Sequence, residues 1–521
     1  AALAYKEQNL VKRLWRLDGQ VVDVGQGSNN RLWISNAPWV LTALQEVEGQ
    51  LKCQCSEGEL HDRIKANIHE QWKSMIAGGS EEALKVVRSA IKKFNTGDAL
   101  TGEDLISSMA SDITTKSDDR EQEDAEYIGG MRNPNQAVAK NPQLRQMGKR
   151  LRRVLEQVAG RPEFAKEVDQ AWSWLGQEVS AGFSSELLNT TLDCINKEFK
   201  AMSEPDHVEG KSEMPSSTWQ ALLKAAGDPE TEIVKWMREG APTGFDPKNP
   251  IVPQGIFPPV KKLSAAIEQR RMFAEVEGKF QETTHVNYRS YYEHEDLSEK
   301  EVDRLVESGF VFLFASWALV VGQWAYAVAT RLASIVKERV DGTLKLRFVM
   351  DLLRSGVNGR SDPPERTVLP RMTDFVNGIL DLMVVQWQRG GDKQALERIG
   401  MMVIDFSDAF YLLHAKPSER GWLVFKCARG WAVFRRICFG MTTAALLWGR
   451  VAAAAARIAQ AVFKPDELRI QIFVDDPATA VAGDLSTQRH LVGLLLLLWS
   501  VLGLKVNWKK GQFANISSMT G

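Results

Sequence analysis

The chain has 521 residues, 44% of them hydrophobic and 25% charged, which is typical of globular proteins and enough for two or three folding units. Its 65 basic and 66 acidic residues leave a formal net charge of -1, so it lies outside the strongly basic class of nucleic-acid binders and any such surface must be local. Five irregularly spaced cysteines, and charges where a signal peptide would be apolar (AALAYKEQNLVKRLWRL), argue against a disulfide-stabilised secreted protein. We expect an intracellular protein, cytoplasmic or nuclear, that is a piece of a longer precursor.

The N-terminal region, residues 1–98, mixes short strand-like runs with helical patterns and shows no catalytic signature. Its metal-binding side chains match no common zinc spacing, so an incidental set is favoured over a metal site for Cys53, Cys55, His61 and His69. Residues 99–141 are rich in Asp, Glu, Ser, Gly and Asn with few large apolar groups, and too little apolar surface is available to offset the entropy of ordering them. We therefore predict an N-terminal region of unknown role followed by an acidic, polar linker.

Residues 142–202 are predicted to form a helical segment, because Gln143–Glu178 has a helical pattern. A solvated helix face is the favoured interpretation of the basic cluster in it, and nucleic-acid contact is the alternative, for Arg145, Lys149, Arg150, Arg152 and Arg153. Residues 203–261 are predicted to hold a second linker, a helix capped near Ser217 and a proline-rich stretch.

Two apolar runs could suggest a membrane protein. Phe310–Ala329 has no charged residue and is about long enough to cross a bilayer, but Ser316 and Gln323 interrupt it and a charged, strand-like segment follows. A buried helix is the favoured interpretation of that run, and a membrane span the alternative. Leu491–Leu504 is too short to span and predicts a core helix. We therefore expect no membrane partner.

Two other blocks place acidic residues at the ends of apolar, strand-like runs. In MMVIDFSDAFYLL such a run ends at Asp405, and in LRIQIFVDDPATAVAG two such runs flank Asp475 and Asp476, as at the tip of a hairpin. An Asp pair alone is a weak signal, since Asp is common in tight turns. Nucleotidyl transfer to a primer hydroxyl uses two divalent cations held by carboxylates from different strands, and the two blocks together offer such a set.

These blocks and their neighbours resemble a known family. IDFSDAFYLL resembles motif A of reverse transcriptases, CFGMTTAALLWGRV resembles motif B, FVDD is similar to the YxDD box of motif C, and GLKVNWKKGQF is similar to motif D. Upstream, LKLRFVMDLLRSGVN followed by TVLPRMTDFV resembles the fingers segment. Five blocks in order across Lys262–Gly521 are far more specific than one motif. The chain thus resembles the reverse transcriptase of a gypsy-type or DIRS-like retrotransposon polyprotein.

The resemblance implies the fingers and palm of a right-hand polymerase over residues 262–521, with motifs A to D in 401–521. The expected class is α+β, with an antiparallel palm sheet backed by helices and a mostly helical N-terminal region. The implied activity is RNA-directed DNA polymerisation with two Mg²⁺ ions, Mn²⁺ being the alternative. Implied partners are an RNA or DNA template with its primer, dNTP, and other parts of the element polyprotein. The sequence ends where a primer grip would begin, so the thumb and RNase H are expected to be absent from this chain.

Residue by residue, the resemblance assigns the metal ligands as Asp405, Asp475, Asp476 and the carbonyl of Phe406. It places the main-chain N–H groups of Asp408 and Ala409 under the triphosphate. Lys345 and Arg347 would grip the β- and γ-phosphates, a role suited to permanent positive charge, with a solvated strand edge as the alternative. Gly440 would let the backbone approach the template, primer or incoming base. A general acid for the leaving pyrophosphate is expected at Lys509 or Lys510, and the sequence does not choose between them.

Phe410 bears on the choice of sugar. Its ring, five residues after Asp405, would leave no room for a 2′-hydroxyl, whereas RNA-dependent RNA polymerases place a hydrogen-bonding side chain there; the alternative is a core phenylalanine. Because residues an odd number apart on a regular strand point to opposite faces, the two can serve one site only if the chain bends at Ser407 and Asp408.

Several positions depart from the family pattern. Phe473 replaces a Tyr, Cys438 and Ala445 replace prolines of motif B, and Pro477 denies its strand one ladder hydrogen bond, which is unusual unless that strand is an edge there. The alternative to an active enzyme is therefore a degenerate, catalytically inactive nucleic-acid-binding relic.

Overall fold

The structure is a computed structural model that describes residues 133–179, 182–203, 213–260, 285–338, 342, 344–390 and 398–515. The N-terminal region with its four metal-binding side chains, and most of the predicted acidic linker, lie outside the described residues. The described part combines helices with three antiparallel sheets, which confirms a mixed helix and antiparallel-sheet architecture.

The described part begins with six helices. Each of the first three has proline as its first residue, a position whose N–H would have no hydrogen-bond partner within the helix. The side chains of Asn133 and Asn141 cap the N-termini of the first two helices. The helices are α1 (Pro134–Lys140), α2 (Pro142–Ala159), α3 (Pro162–Gln170), α4 (Ser185–Phe199), α5 (Ser216–Ala226) and α6 (Glu232–Glu239).

Two linker predictions are corrected by these helices. The acidic linker was expected to run to residue 141, but the Asn133 cap and Pro134 start α1 already. In residues 203–261, two helices are present where one was expected, and the proline-rich stretch is packed into the structure through buried Ile251, Ile256 and Phe257. Capping signals of Asn–Pro type outweighed the low apolar content of the first segment.

The middle of the described part holds a short hairpin and a small mixed region. Its elements are α7 (Arg289–Tyr292), α8 (Glu295–Glu307), β1 (Val311–Phe314), α9 (Trp317–Gln323), β2 (Leu332–Glu338) and β3 (Leu344–Met350). Strands β2 and β3 pair with each other, with Ile335 opposite Arg347. The two strands form a sheet of their own, in which Arg347 is exposed.

The prediction of one buried helix over Phe310–Ala329 is wrong. The run forms β1, then the seven-residue helix α9, then irregular chain. Its burial is partial, since Val320 is buried but Leu319 is 56% exposed. A short apolar run does not distinguish a strand from a helix, and the antiparallel pairing of β1 with residues 431–434, in which Val311 is opposite Phe434, decided for a strand. Among the described residues, none of the helices is both long and apolar enough to cross a bilayer.

The C-terminal part is built on a four-stranded antiparallel sheet of order β7-β8-β4-β9. A helix precedes it, a smaller sheet of β1, β6 and β5 lies beside it, and two long helices pack against it. The elements are α10 (Met372–Gly390), β4 (Ile399–Val403), β5 (Val424–Cys427), β6 (Gly430–Phe434), α11 (Ala444–Val462), β7 (Leu468–Phe473), β8 (Asp476–Ala482), α12 (Leu485–Val501) and β9 (Gln512–Asn515). From Leu491 to its end, α12 is buried except for the half-buried Ser500, which confirms the core helix predicted from the leucine run.

The N-terminal helices and the sheet share one hydrophobic core, which runs from Val138 to Trp508. Helices α1 and α2 pack on α11, and α3 and α4 pack on α12. Two ion pairs with side chains no more than 6% exposed join α11 to the turn between α5 and α6, Arg450 with Glu230 and Arg457 with Asp228. The helical segment is therefore a layer on the helices that back the sheet.

Part of the basic cluster on α2 is paired with acidic side chains. Arg150 donates to the carboxylate and to the carbonyl of Glu198, and Arg152 donates to Glu156. These pairs are partly exposed, as the favoured interpretation of a solvated face requires.

Candidate active site

The ladder between β4 and β8 continues beyond the two strands and brings the two acidic blocks together. Ile404 N–H donates to the carbonyl of Pro477 at 3.1 Å, and Phe406 N–H donates to the carbonyl of Asp475 at 2.8 Å. Since Val403 pairs with Ala478, the same register continued by two residues sets Asp405 opposite Asp476. Residues directly opposite each other in an antiparallel pair lie on the same face of the sheet.

The hairpin that carries the Asp pair has a strained tip. Phe473 pairs with Asp476, so Val474 and Asp475 form a two-residue turn, and Val474 has φ 59°. A positive φ is a genuine outlier for a β-branched residue and costs about 1–3 kcal/mol. The Trp448 indole N–H donates to the carbonyl of Val474 at 2.7 Å and holds this turn in place. The surrounding structure thus keeps the residue before Asp475 in a conformation that it would not adopt alone.

The Asp405 and Asp475 carboxylates lie close enough for their charges to interact. Asp405 is 8% exposed. Burial, and after it the neighbouring Asp405 carboxylate, raise the pKa of Asp475, while the charges of Lys510 and Arg347 lower it. Two carboxylates from different strands therefore share one site with two cationic side chains around it.

The segment after α12 supplies the direct partners of Asp405. Asn507 N–H donates to the Asp405 carbonyl at 2.8 Å, and the Asn507 side-chain amide donates to Oδ2 at 3.1 Å. The Lys510 ammonium donates to Oδ1. Lys509 instead reaches the exposed Glu178, with 3.3 Å between Nζ and Oε1. Of the two lysines that the sequence left open, Lys510 is the one that contacts the site.

Asn507 is a site residue to which sequence reasoning assigned no role. The signal was present, because it is the Asn in the GLKVNWKKGQF block that resembles motif D. Only the fold shows that this residue binds both the main chain and the carboxylate of Asp405.

The donor set agrees in its chemistry with the implied cations. Carboxylate oxygens are the ligands that Mg²⁺ prefers, and burial together with the Asp405 charge, which raise the pKa of Asp475, disfavour an anion that a cation would stabilise. Within the described ranges, however, no three His, Cys, Asp or Glu side chains form a group that could hold a metal ion, and the Lys510 ammonium already neutralises Asp405. The residues fit a cation in their chemistry, and the four-ligand set of Asp405, Phe406, Asp475 and Asp476 stays a prediction.

The predicted bend after Asp405 is confirmed. Asp408 has φ 54°, in the left-handed region, and a 3₁₀ helix follows at Ala409–Leu412. Asp408 also forms an ion pair with Arg304, whose Nη1 lies 3.6 Å from Oδ1. The bend frees Phe410 from the alternation of the strand, as a gate at the site requires.

The Phe410 ring is half-buried and stands edge-on to Phe439, with 5.0 Å between ring centroids. Phe439 is 37% exposed. The pair thus lies at a surface of the core, and its role toward a sugar stays a prediction.

Gly440 is required by the packing of the chain itself. Its φ is 107°, and a Cβ there would lie 2.1 Å from the carbonyl oxygen of Met350 at the end of β3. Its own carbonyl accepts a hydrogen bond from the Asn358 amide at 2.8 Å. Any side chain would push the loop before α11 away from β3, so packing within the protein is enough to require glycine at this position, without any ligand.

The cationic strand β3 faces the same region. Arg347 is exposed, and its charge acts on Asp475. Lys345, two residues earlier on the same face, is opposite Lys337 in β2. The structure places Arg347 near the acidic pair, and the phosphate-binding roles of both residues stay predictions.

Comparisons with known proteins give partial likenesses only. No family model and no curated protein matches the sequence. Solved structures of foamy virus protease-reverse transcriptase are similar. A complex with double-stranded DNA has 15% sequence identity and a TM-score of 0.28, and the match covers 46% of this chain and 35% of that one. A prototype foamy virus mutant and a complex with an RNA/DNA hybrid each have 14% identity, with TM-scores of 0.31 and 0.30, and each match covers 45% of this chain and 26% of the other. The chain spans about a quarter to a third of the length of those structures. The function of this chain therefore has to be inferred from its own residues.

Pro477 does not lie on an edge strand, as its lack of an N–H suggested it should. Strand β8 is central, between β7 and β4. Pro477 is its second residue, opposite Ile472, and its carbonyl still accepts from Ile404. The lost donor therefore removes a single ladder bond at the end of the strand, beside Asp405 and Asp475.

A pocket of about 540 Å³ opens on the other side of the Gly440 loop. It is lined by the ends of β2 and β3 and by the chain before α7, including Tyr288, Val349, Asp351 and Asn358. The Tyr288 hydroxyl donates to the Asp351 carboxylate across it. Gly440 is also one of the residues that line this pocket.

Proposed function

We propose that this chain carries out template-directed DNA synthesis, transferring a nucleotide from dNTP to a primer 3′-hydroxyl as the reverse transcriptase of a mobile element. One observation carries the proposal: Asp405 and Asp475, far apart in sequence and each in a block that resembles a polymerase motif, are joined by the same strand ladder in one buried, like-charged site. Buried carboxylates that share a site and perturb each other's pKa are typical of functional sites.

The residues that would hold cations are Asp405, Asp475, Asp476 and the Phe406 carbonyl. Two Mg²⁺ ions bound there would activate the primer hydroxyl and neutralise the charge that develops on the triphosphate. The Asn507 amide fixes the orientation of the Asp405 carboxylate, as an outer-shell partner does for a ligand. The strained tip at Val474 fixes Asp475 in the same way.

The cationic side chains have a separate task. Arg347 on β3 offers a planar fork that suits phosphate oxygens, and Lys345 adds a point charge. Lys510 is positioned to donate a proton to the leaving pyrophosphate once its ion pair with Asp405 opens. Phe410, turned out of the strand by the bend at Asp408, would exclude a 2′-hydroxyl by its bulk.

Primer extension tests the proposal. The full chain is given an RNA template with an annealed DNA primer, dNTP and Mg²⁺, and the variants Asp405→Asn and Asp475→Asn are compared with Asp193→Asn, an exposed carboxylate on α4. We expect extension by the wild type and the control, and a loss of about 10³-fold or more in each site variant, because one charged ligand is removed. Extension by Asp405→Asn at the wild-type rate would overturn the assignment.

A second candidate is a catalytically inactive nucleic-acid-binding relic. The ion pair of Lys510 with Asp405 and the proline beside the acidic pair favour it. The same experiment separates the two functions, since a relic would bind the primer–template without extending it and would bind equally well as Asp405→Asn.

A further inference from the structure

The Asn507–Lys510 turn, which holds Asp405, is itself held from behind by the N-terminal helical segment. The Trp508 ring is 9% exposed and points away from Asp405 into that segment. It stands edge-on to Trp174, with ring centroids 5.3 Å apart, and to Phe183 at 6.0 Å. Trp174 and Phe183 are themselves 5.1 Å apart, so the three rings touch one another. We call Trp174, Phe183 and Trp508 the aromatic clamp.

Main-chain groups of the turn and of the N-terminal segment also contact each other directly. Gly176 N–H donates to the Trp508 carbonyl at 2.8 Å. A Cβ at Gly182 would lie 2.7 Å from the indole nitrogen of Trp508, and one at Gly511 would lie 2.5 Å from the Leu175 side chain. The turn and the N-terminal segment are thus fitted to each other at a distance that only glycine permits.

The chain that leads into the turn is fixed by the same region. The Trp219 indole N–H donates to the carbonyl of Leu502 at 3.0 Å. Lys505 forms an ion pair with Glu213 at 2.8 Å, and a Cβ at Gly503 would lie 2.3 Å from the Glu213 carbonyl oxygen. The loop between α12 and β9 therefore contacts residues from two separate stretches that precede it by 283 positions or more.

The turn also contacts Asp405 of the candidate active site. Asn507 N–H and its side-chain amide both bind Asp405, and the Lys510 ammonium binds the same carboxylate. Displacement of Trp508 would move both partners of Asp405 at once, because all three residues lie in one short 3₁₀ turn and its cap.

We propose that the aromatic clamp is a positioning element for Asn507 and Lys510, so that the N-terminal helical segment sets the geometry of the active site. The inference rests on the proposed function for its effect on catalysis, but its structural part stands apart from it. Trp174 and Phe183 touch no reacting group and act through the turn.

The first test needs no activity. Hydrogen exchange is followed by mass spectrometry in peptides covering residues 403–407 and 505–511 of the full chain. Trp174→Ala removes two edge-to-face contacts, which corresponds to about tenfold faster exchange in the turn. The control is Trp236→Ala, which removes a more deeply buried indole from the same region, where it packs over Arg450. Unchanged exchange in the turn of Trp174→Ala would overturn the clamp.

The second test uses primer extension. We expect Trp174→Ala to lower kcat about 10- to 100-fold through misplacement of the turn, with KM for dNTP changed less than about twofold. Trp174→Phe, which keeps a ring, should restore most of the rate. In a background that lacks both positioned groups, Asn507→Ala with Lys510→Ala, Trp174→Ala should have little further effect, since the groups that it positions are already gone.

The outcomes separate the two proposals. Faster exchange together with a wild-type chain that never extends a primer would reject the polymerase and keep the clamp. A loss of kcat in Trp236→Ala as large as in Trp174→Ala, or full additivity of Trp174→Ala with the double change Asn507→Ala and Lys510→Ala, would show that general destabilisation explains the effect and would reject the clamp.

Discussion

Loss of the Glu230 carboxylate should destabilise the whole described part of the protein, because that group neutralises a fully buried charge. Arg450 and Glu230 both have side chains with 0% exposure, and their atoms meet twice, Nε with Oε2 at 2.6 Å and Nη2 with Oε1 at 2.7 Å. In Glu230→Gln the guanidinium would keep the Val252 carbonyl and the face of Trp236 but would lose its countercharge.

The expected loss of stability follows from leaving the buried Arg450 charge without its countercharge. Breaking a buried pair by removing one partner costs about 3–5 kcal/mol, which is about a fifth or more of the roughly 5–15 kcal/mol that keeps a typical domain folded. Glu230 also accepts from the N–H groups of Glu232 and Ile233 at the start of α6, and Gln keeps an acceptor there. The expected loss is therefore mainly the uncompensated charge of Arg450.

Urea unfolding measured by circular dichroism and by tryptophan fluorescence checks this prediction. Glu198→Gln is the matched control, since the Arg150–Glu198 pair joins two helices of the same segment but is 37% and 35% exposed, and its loss should cost less than about 1 kcal/mol. The double change Glu230→Gln with Arg450→Met should recover part of the stability. A loss in Glu230→Gln no larger than that of the control would refute the reasoning. Two separate transitions would refute the shared core.

Three further outcomes are expected. Phe410→Val should leave dNTP incorporation largely intact and admit ribonucleotides in single-nucleotide extension; unchanged ribonucleotide exclusion would make Phe410 core packing only. Gly440→Ala should lower the unfolding free energy by at least about 1–3 kcal/mol, the cost of its backbone conformation alone, and a wild-type midpoint in urea would contradict the clash with Met350. The hydrogen bond with Glu156 raises the pKa of His490, and contacts with His490 and Arg152 lower the pKa of Glu156. The pair should therefore contribute its full stabilisation of the folded state below the ordinary pKa of His, and this contribution should weaken as pH rises through the raised pKa of His490. It should also weaken in acid, as Glu156 is protonated. The effect should stay below about 1 kcal/mol because both groups are more than a third exposed, and His490→Gln should abolish the alkaline part of it in urea titrations.

Local sequence was enough to determine the elements that carry the acidic pair. An apolar run that ends in Asp405, and two such runs around Asp475, specify strands and a hairpin because alternation and turn chemistry act over a few residues. The bend at Asp408 followed from the resemblance, which puts Asp405 and Phe410 in one site, combined with the rule that a strand cannot present residues of opposite parity on one face. The leucine-rich helix α12 was equally clear, because an apolar run too short to span a bilayer fits a core helix.

Tertiary structure alone decided which partners those elements meet. Lys509 and Lys510 are neighbours with identical side chains, and only the 3₁₀ turn held by Trp508 aims one at Asp405 and the other at Glu178. The apolar run after Phe310 became a strand because β6 was available to pair with it. The helices before residue 240 looked like a separate segment because nothing in a local pattern reports a contact with α11 or α12 across two hundred residues or more. Such contacts depend on the complementarity of distant surfaces, which periodicity and motif spacing do not encode.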